Sequence, residues 1–240
     1  MLPALSGGLL PATTQNRKPG KPRTLTRERV LRTAVALADD RGLEQLTMRK
    51  LAKELDVEAM SLYNHIASKG DLLDGMIELV FSEIEPPAAG ADWRAELRKR
   101  ALSTRAALLR HRWAVGQMEG RTSHGPSNLR LHDAVLGCLR AAGFSIEMTV
   151  HAMSVQDAYI YGFALQQTDM SSQTAEDFAD VAQRQMVDYA GVLADYPNLV
   201  EVVGGYVATA GYDYDREFVF GFDVILDGLE RLLTAGAGSS

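Results

Sequence analysis

The chain has little cysteine: Cys138 is the only one in 240 residues. An internal disulfide is therefore excluded, and a reducing compartment, the cytoplasm, is expected. It also lacks any apolar run approaching the roughly 18 residues of a membrane span. A secretory leader is not expected either, because the positive charges of the opening MLPALSGGLLPATTQNRK follow its apolar part instead of preceding it. Motifs for common chemistries are absent: there is no G-x-S-x-G, no phosphate-binding loop and no G-x-G-x-x-G. The histidines (His65, His111, His124, His132, His151) show no metal-ligand spacing with a carboxylate partner. Glu147 and His151, four apart, read as a solvated helix pair. Catalysis, metals and cofactors are not expected. Period-2 alternation is almost missing as well. VEVVGGYVATAG at 200–211 is the one strand-like stretch, and its glycines argue for a loop.

What is present is 46% hydrophobic and 23% charged residues, an ordinary globular composition. The net charge of −6 hides a division. Residues 1–69 carry a net +5 and residues 70–240 a net −11. A basic end on an acidic body suggests that one end meets a polyanion, because Lys and Arg neutralise phosphate in DNA binding. Residues 1–24, with four prolines and a basic run at Arg17, Lys18, Lys21 and Arg23, read as a flexible arm.

From Thr26 the pattern is helical. Thr26 caps a helix predicted to reach Arg41, with Gly42 as its stop. Thr47 caps a second, short helix with Leu51, Ala52 and Leu55 on one face. A third is expected over 58–65, and Ser68 opens a fourth running to about Ile84. After Pro86-Pro87 come apolar-periodic stretches near 92–110, 112–120, 128–142, 146–167, 175–195 and 213–235. The fold class is all-α, with about ten helices. The expected division is a basic arm (1–24), a DNA-binding domain (25–70) and a helical ligand-binding and dimerisation domain (71–240).

The segment LTMRKLAKELDVEAMSLYNHIASKGDLL, 46–73, is patterned as a helix-turn-helix, whose second helix enters the major groove of DNA. Leu51, Ala52, Leu55, Leu62 and Ile66 would pack inward, leaving Ala59, Met60, Ser61, Tyr63 and Asn64 outward. The segments G-L-E-Q-L-T, R-K-L-A and S-L-Y-x-H, followed by Lys69, closely resemble the DNA-binding domain of the tetracycline repressor (TetR) family. PAAGADW, ALLRHRW, AAGFS and YGFALQQ resemble that family's C-terminal domain more weakly.

The resemblance implies a homodimeric transcriptional repressor that holds a palindromic operator and is released by a small-molecule effector. The alternatives are a transcriptional activator or a ligand-independent DNA-binding protein of the same fold, with an enzyme less expected than either. Thr47, Arg49, Ala59, Met60, Ser61, Tyr63, Asn64 and Lys69 are the implied DNA contacts, with hydroxyls and Lys69 on phosphate and Arg49 on a guanine edge. Thr104, Trp113, Met118, Val135, Tyr159, Gln166 and Met186 are the implied ligand residues. Val150, Met153, Phe218, Phe222, Ile225 and Leu229 are the implied dimer interface. The tetracycline repressors hold a magnesium–drug chelate through a histidine and, by way of water, a glutamate. Met118 and Gln166 stand at those places here, so a metal-free, apolar or aromatic effector is expected.

Overall fold

The computed structural model describes residues 24–118, 125–168 and 175–237; the arm and His124 lie outside them. The described elements are helices, and no strand occurs among these residues. The first is α1, Arg27–Arg41; Thr26 accepts from Arg29 N, and Gly42 stops it at φ 80. A single turn, Leu43–Gln45, leads to α2, Met48–Leu55, capped by Thr47 on Lys50 N. Asp56 then takes a left-handed conformation at φ 55, a placement Asp tolerates because its short side chain bonds locally. The third helix, α3, is shorter than the sequence suggests, Ala59–Leu62, with turns beyond it. Ser68 caps α4, Lys69–Ser82.

The apolar faces of α1 to α4 meet in one small core, from Val30 to Met76, in which Leu51, Leu62 and Ile66 are fully buried. The boundary expected near residue 70 falls inside a shared element. Leu72 and Met76 of α4 belong to this first core, and Ile77, Val80 and Phe81 to the second.

The second core is built on α5 (Trp93–Arg110), α6 (Val115–Met118), α7 (Pro126–Ala141), α8 (Ile146–Thr168) and α13 (Tyr214–Ala237). Arg94 bridges α5 to Asp227 and Glu230 of α13, and Arg98 bridges to Asp223. Between α8 and α13 lie α9 (Ala175–Asp188), α10 (Ala190–Leu193), α11 (Pro197–Val202) and α12 (Ala208–Ala210).

Here the expected loop over 200–211 is corrected: residues 200–210 are helical, with a π turn at Val203–Val207 joining α11 to α12. Gly204 and Gly205 make an ordinary helix costly. Contacts with α9 offset that cost: Gln183 Nε2 donates to Ala208 O at 2.7 Å, and α9 packs on α12 and the π turn.

Candidate DNA-binding face and body site

Most of the implied DNA contacts of the helix-turn-helix are exposed. Met60 is 75% and Tyr63 48% exposed, and Thr47, Arg49, Asn64 and Lys69 are also exposed. Ala59 and Ser61 are half-buried, and Ala59 packs against the head core. Only Leu62 of α3 is fully buried. A short helix held by one buried leucine needs outside support, and Arg27 supplies it. Its Nη1 donates to His65 O at 2.9 Å, just beyond α3, and the guanidinium grips Asp71 of α4 at 2.5 and 2.9 Å. Asp71 also accepts from Ala67 N at 2.8 Å. The guanidinium, and then the Ala67 N–H, hold the Asp71 carboxyl below the usual range. Lys69 stands at the first position of α4, where the partial positive charge of the helix end adds to its own for phosphate.

Sequence reasoning passed over Arg27, Asp39, Glu83 and His111, because their partners are far away in the chain. His111 is buried where the head meets the body. Its Nδ1 lies 2.8 Å from Asp39 of α1, and its Nε2 lies 3.2 Å from Glu83, just past α4. Trp113 Nε1 donates to Asp39 at 2.7 Å, and Arg110 pairs with Glu83 at 3.1 Å. Two carboxylates, one from each side of the joint, thus close on one imidazole. A second tie is Glu78 of α4, whose Oε1 accepts from Ser127 N at 2.6 Å in the first turn of α7. A carboxylate there is favoured by the helix end.

The implied ligand residues do not all come together. Thr104, Met118 and Val135 are buried in the body core. Trp113 instead lies at the head–body joint, where it packs on both cores and lines an open cleft of about 880 Å³ with Ala38, Asp39, Arg110, Gln117 and Leu165. Gln166 is on the exposed side of α8, and Met186 is half-buried beside the π turn, close to Gly204. Tyr159 belongs to an aromatic cluster with Phe163, Phe218 and Phe222, at ring separations of 5.5 to 6.2 Å. Its hydroxyl donates to the Glu217 or Phe218 carbonyl, and burial pushes its pKa up to about 12. Arg105 lies 5.0 Å over the Phe218 ring, pairs with Asp215 and donates to Gln167.

The implied interface residues differ in exposure within this one chain. Phe218, Phe222 and Leu229 are buried, at 5% exposure or less. Met153 and Ile225 are half-buried, and Val150 is 58% exposed. The exposed apolar residues of α8 and α13 are Ile146, Val150, Val155, Leu165, Phe220, Val224 and Leu232. Glu147 and His151 lie on the surface, 3.7 Å apart. No described helix is long and apolar enough to cross a membrane, and no cluster of three metal-ligating side chains occurs among the described residues.

Comparison with known proteins agrees with this geometry. Residues 30–76 match the family described as "Bacterial regulatory proteins, tetR family", and residues 86–233 match "Tetracyclin repressor-like, C-terminal domain". The HTH-type transcriptional repressor DrrR1 of Streptomyces coeruleorubidus is 37% identical over 90% of this chain and 82% of its own length. The tetracycline repressor protein class C of Escherichia coli is 32% identical over 87% of this chain and 92% of its own. The TetR family protein ActR of Streptomyces coelicolor, solved in complex with actinorhodin, superimposes with a TM-score of 0.71. It is 29% identical, over 90% of this chain and all of its own.

Proposed function

We propose that this chain, which belongs to the tetR family of bacterial regulatory proteins, is a homodimer that holds a palindromic operator until a small molecule enters its body. Its relatives are transcriptional regulators, not enzymes, and the chain is a DNA-binding transcriptional repressor of that family. The observation that carries the reading is the outward face of α3, where Met60, Tyr63 and Asn64 are exposed while the helix is pinned from behind by Leu62 and Arg27. Thr47, Ser61, Tyr63 and Lys69 take phosphates, and Arg49, Ala59, Met60 and Asn64 serve the base edges.

Two such heads reach successive major grooves only if two chains pair, with half-sites about one helical turn apart. The exposed residues Ile146, Val150, Phe220, Val224 and Leu232 supply the seam. The effector lies in the body core near Thr104, Met118 and Val135, and is apolar or aromatic over most of its surface; ActR, bound to actinorhodin, supports a small-molecule site in this fold. Release is a shift between dimers whose heads fit the operator and dimers whose heads do not. Asp39, His111 and Glu83 are the contacts through which the body sets the head.

Selection of bound sequences from random DNA tests the reading. The expected product is a palindrome protected over two half-sites, bound by a protein of twice the chain mass. Tyr63→Ala should weaken binding to it at least tenfold. Recovery of no preferred sequence, or of a single unpaired half-site, overturns the proposal.

A further inference from the structure

The body core holds polar groups whose hydrogen-bonding demand this chain leaves unmet. Arg100, on α5, is 2% exposed. Its Nη2 donates to Asp157 Oδ1 at 2.6 Å, but Nε and Nη1 have no acceptor among the described residues. Gln156, beside Asp157 on α8, is fully buried. Its Nε2 donates to Ala152 O at 2.8 Å, and its Oε1 has no donor. Helices α5 and α8 pack against each other, and the Arg100–Asp157 pair spans their contact, so both groups belong to one region. Thr104, one turn beyond Arg100, is fully buried in the same stretch of α5.

A guanidinium has five donors and cannot shed its proton to escape burial. A buried donor without an acceptor loses its hydration and gets nothing back. Native proteins leave few such groups, and each calls for a partner, an ordered water or a bound group. The charge balance says what kind of group that is. Asp157 keeps 21% of its side chain in water, whereas the guanidinium keeps 2%. The negative partner is therefore partly screened and the positive one is not, so the local field is positive. An anionic oxygen fits Nε and Nη1, and a hydroxyl fits the lone pairs of Gln156 Oε1.

We infer that Arg100 is the anchor for an ionised oxygen, a carboxylate or a phenolate, on the body's effector, with Gln156 receiving a hydroxyl of the same molecule. This rests on the proposed small-molecule site in the body and narrows its ligand to an organic anion. The polar contact comes from α5 and α8, not from Gln166, which the structure leaves exposed.

Two fluorescent probes with the same ring system test it on the full-length protein. 8-Anilinonaphthalene-1-sulfonate carries an anionic oxygen group, and N-phenyl-1-naphthylamine lacks it. The natural chain should bind the sulfonate about 10- to 100-fold more tightly, the range for a charge-assisted hydrogen bond. Arg100→Met should abolish the difference, and Arg100→Lys should keep part of it. If Arg100→Met does not fold, the double variant Arg100→Met with Asp157→Asn removes the stranded carboxylate and should give the same equality. Equal binding of both probes by the natural chain overturns the inference, as does a preference that survives Arg100→Met. Binding of neither probe refutes the body site itself, and this inference with it.

Discussion

In the head, the core side chains from Val30 to Met76 are all apolar, and polar residues serve at the surface as caps: Thr26, Thr47 and Ser68. In the body, between residues 100 and 156, the buried set includes Arg100, Thr104, Arg105, His111, Asn128, Thr149 and Gln156. Apolar contacts are non-directional, so the head core is held by shape and volume. Buried polar groups must be satisfied one by one, and a change of partner changes which arrangement is favoured.

The most severe test puts a charge into the body core. Phe222→Asp should cost several kcal/mol, because it removes a fully buried ring and strands a carboxylate. Circular dichroism should show the body unfolded. Phe220→Asp, two residues earlier but exposed, should leave folding within about 0.5 kcal/mol, and light scattering should report half the mass. A folded Phe222→Asp variant would place that ring on the wrong face.

Leu51→Ala comes next, at about 2–5 kcal/mol for a leucine lost from a tight core. Urea unfolding should show the head melting before the body. A single transition shifted as a whole would mean that the two cores are one cooperative unit. Smaller still is Lys69→Ala: operator affinity should fall for all sequences alike, and the salt slope should shrink by about one unit. An unchanged slope would remove Lys69 from the phosphate contacts.

The mildest effect is on acid stability. Asp71 has its carboxyl pKa lowered in the folded chain by Arg27 and by Ala67 N–H. Its contribution is therefore present above the ordinary carboxylate pKa of about 4 and is lost as pH falls through the lowered value. Asp71→Asn should flatten that acid-side loss in thermal melts between pH 5 and pH 2, a range set by the Asp values that occur in proteins. If the variant and the natural chain lose stability in parallel, the pair contributes nothing measurable.

The head was legible because its signals are local. Caps lie three residues from the N–H groups they accept, as Thr26, Thr47 and Ser68 do. The body was legible only in outline. Periodicity marked the apolar face of α13, but it could not say whether Phe222 faces its own chain or another. The stretch 200–211 reads as a loop from its glycines, and contacts with α9 override that preference. Neither the Asp39–His111–Glu83 cluster nor the Arg100–Asp157 pair leaves a trace in local sequence, since 28 to 72 residues separate the partners.

One helix, α4, takes part in both cores, and it meets α1 closely: a Cβ at Gly75 would lie 2.6 Å from Leu31. At that crossing Leu31 of α1 thus packs directly on the backbone of α4. At 1.5 Å per residue, its 14 residues make a rod about 21 Å long. A tilt of about 5° at the body end swings the Lys69 end by roughly 2 Å. Hydrogen bonds to DNA survive shifts of only a few tenths of an ångström. The rod therefore works with a mechanical advantage: a small tilt at its body end becomes, at the Lys69 end, a shift larger than a hydrogen bond tolerates.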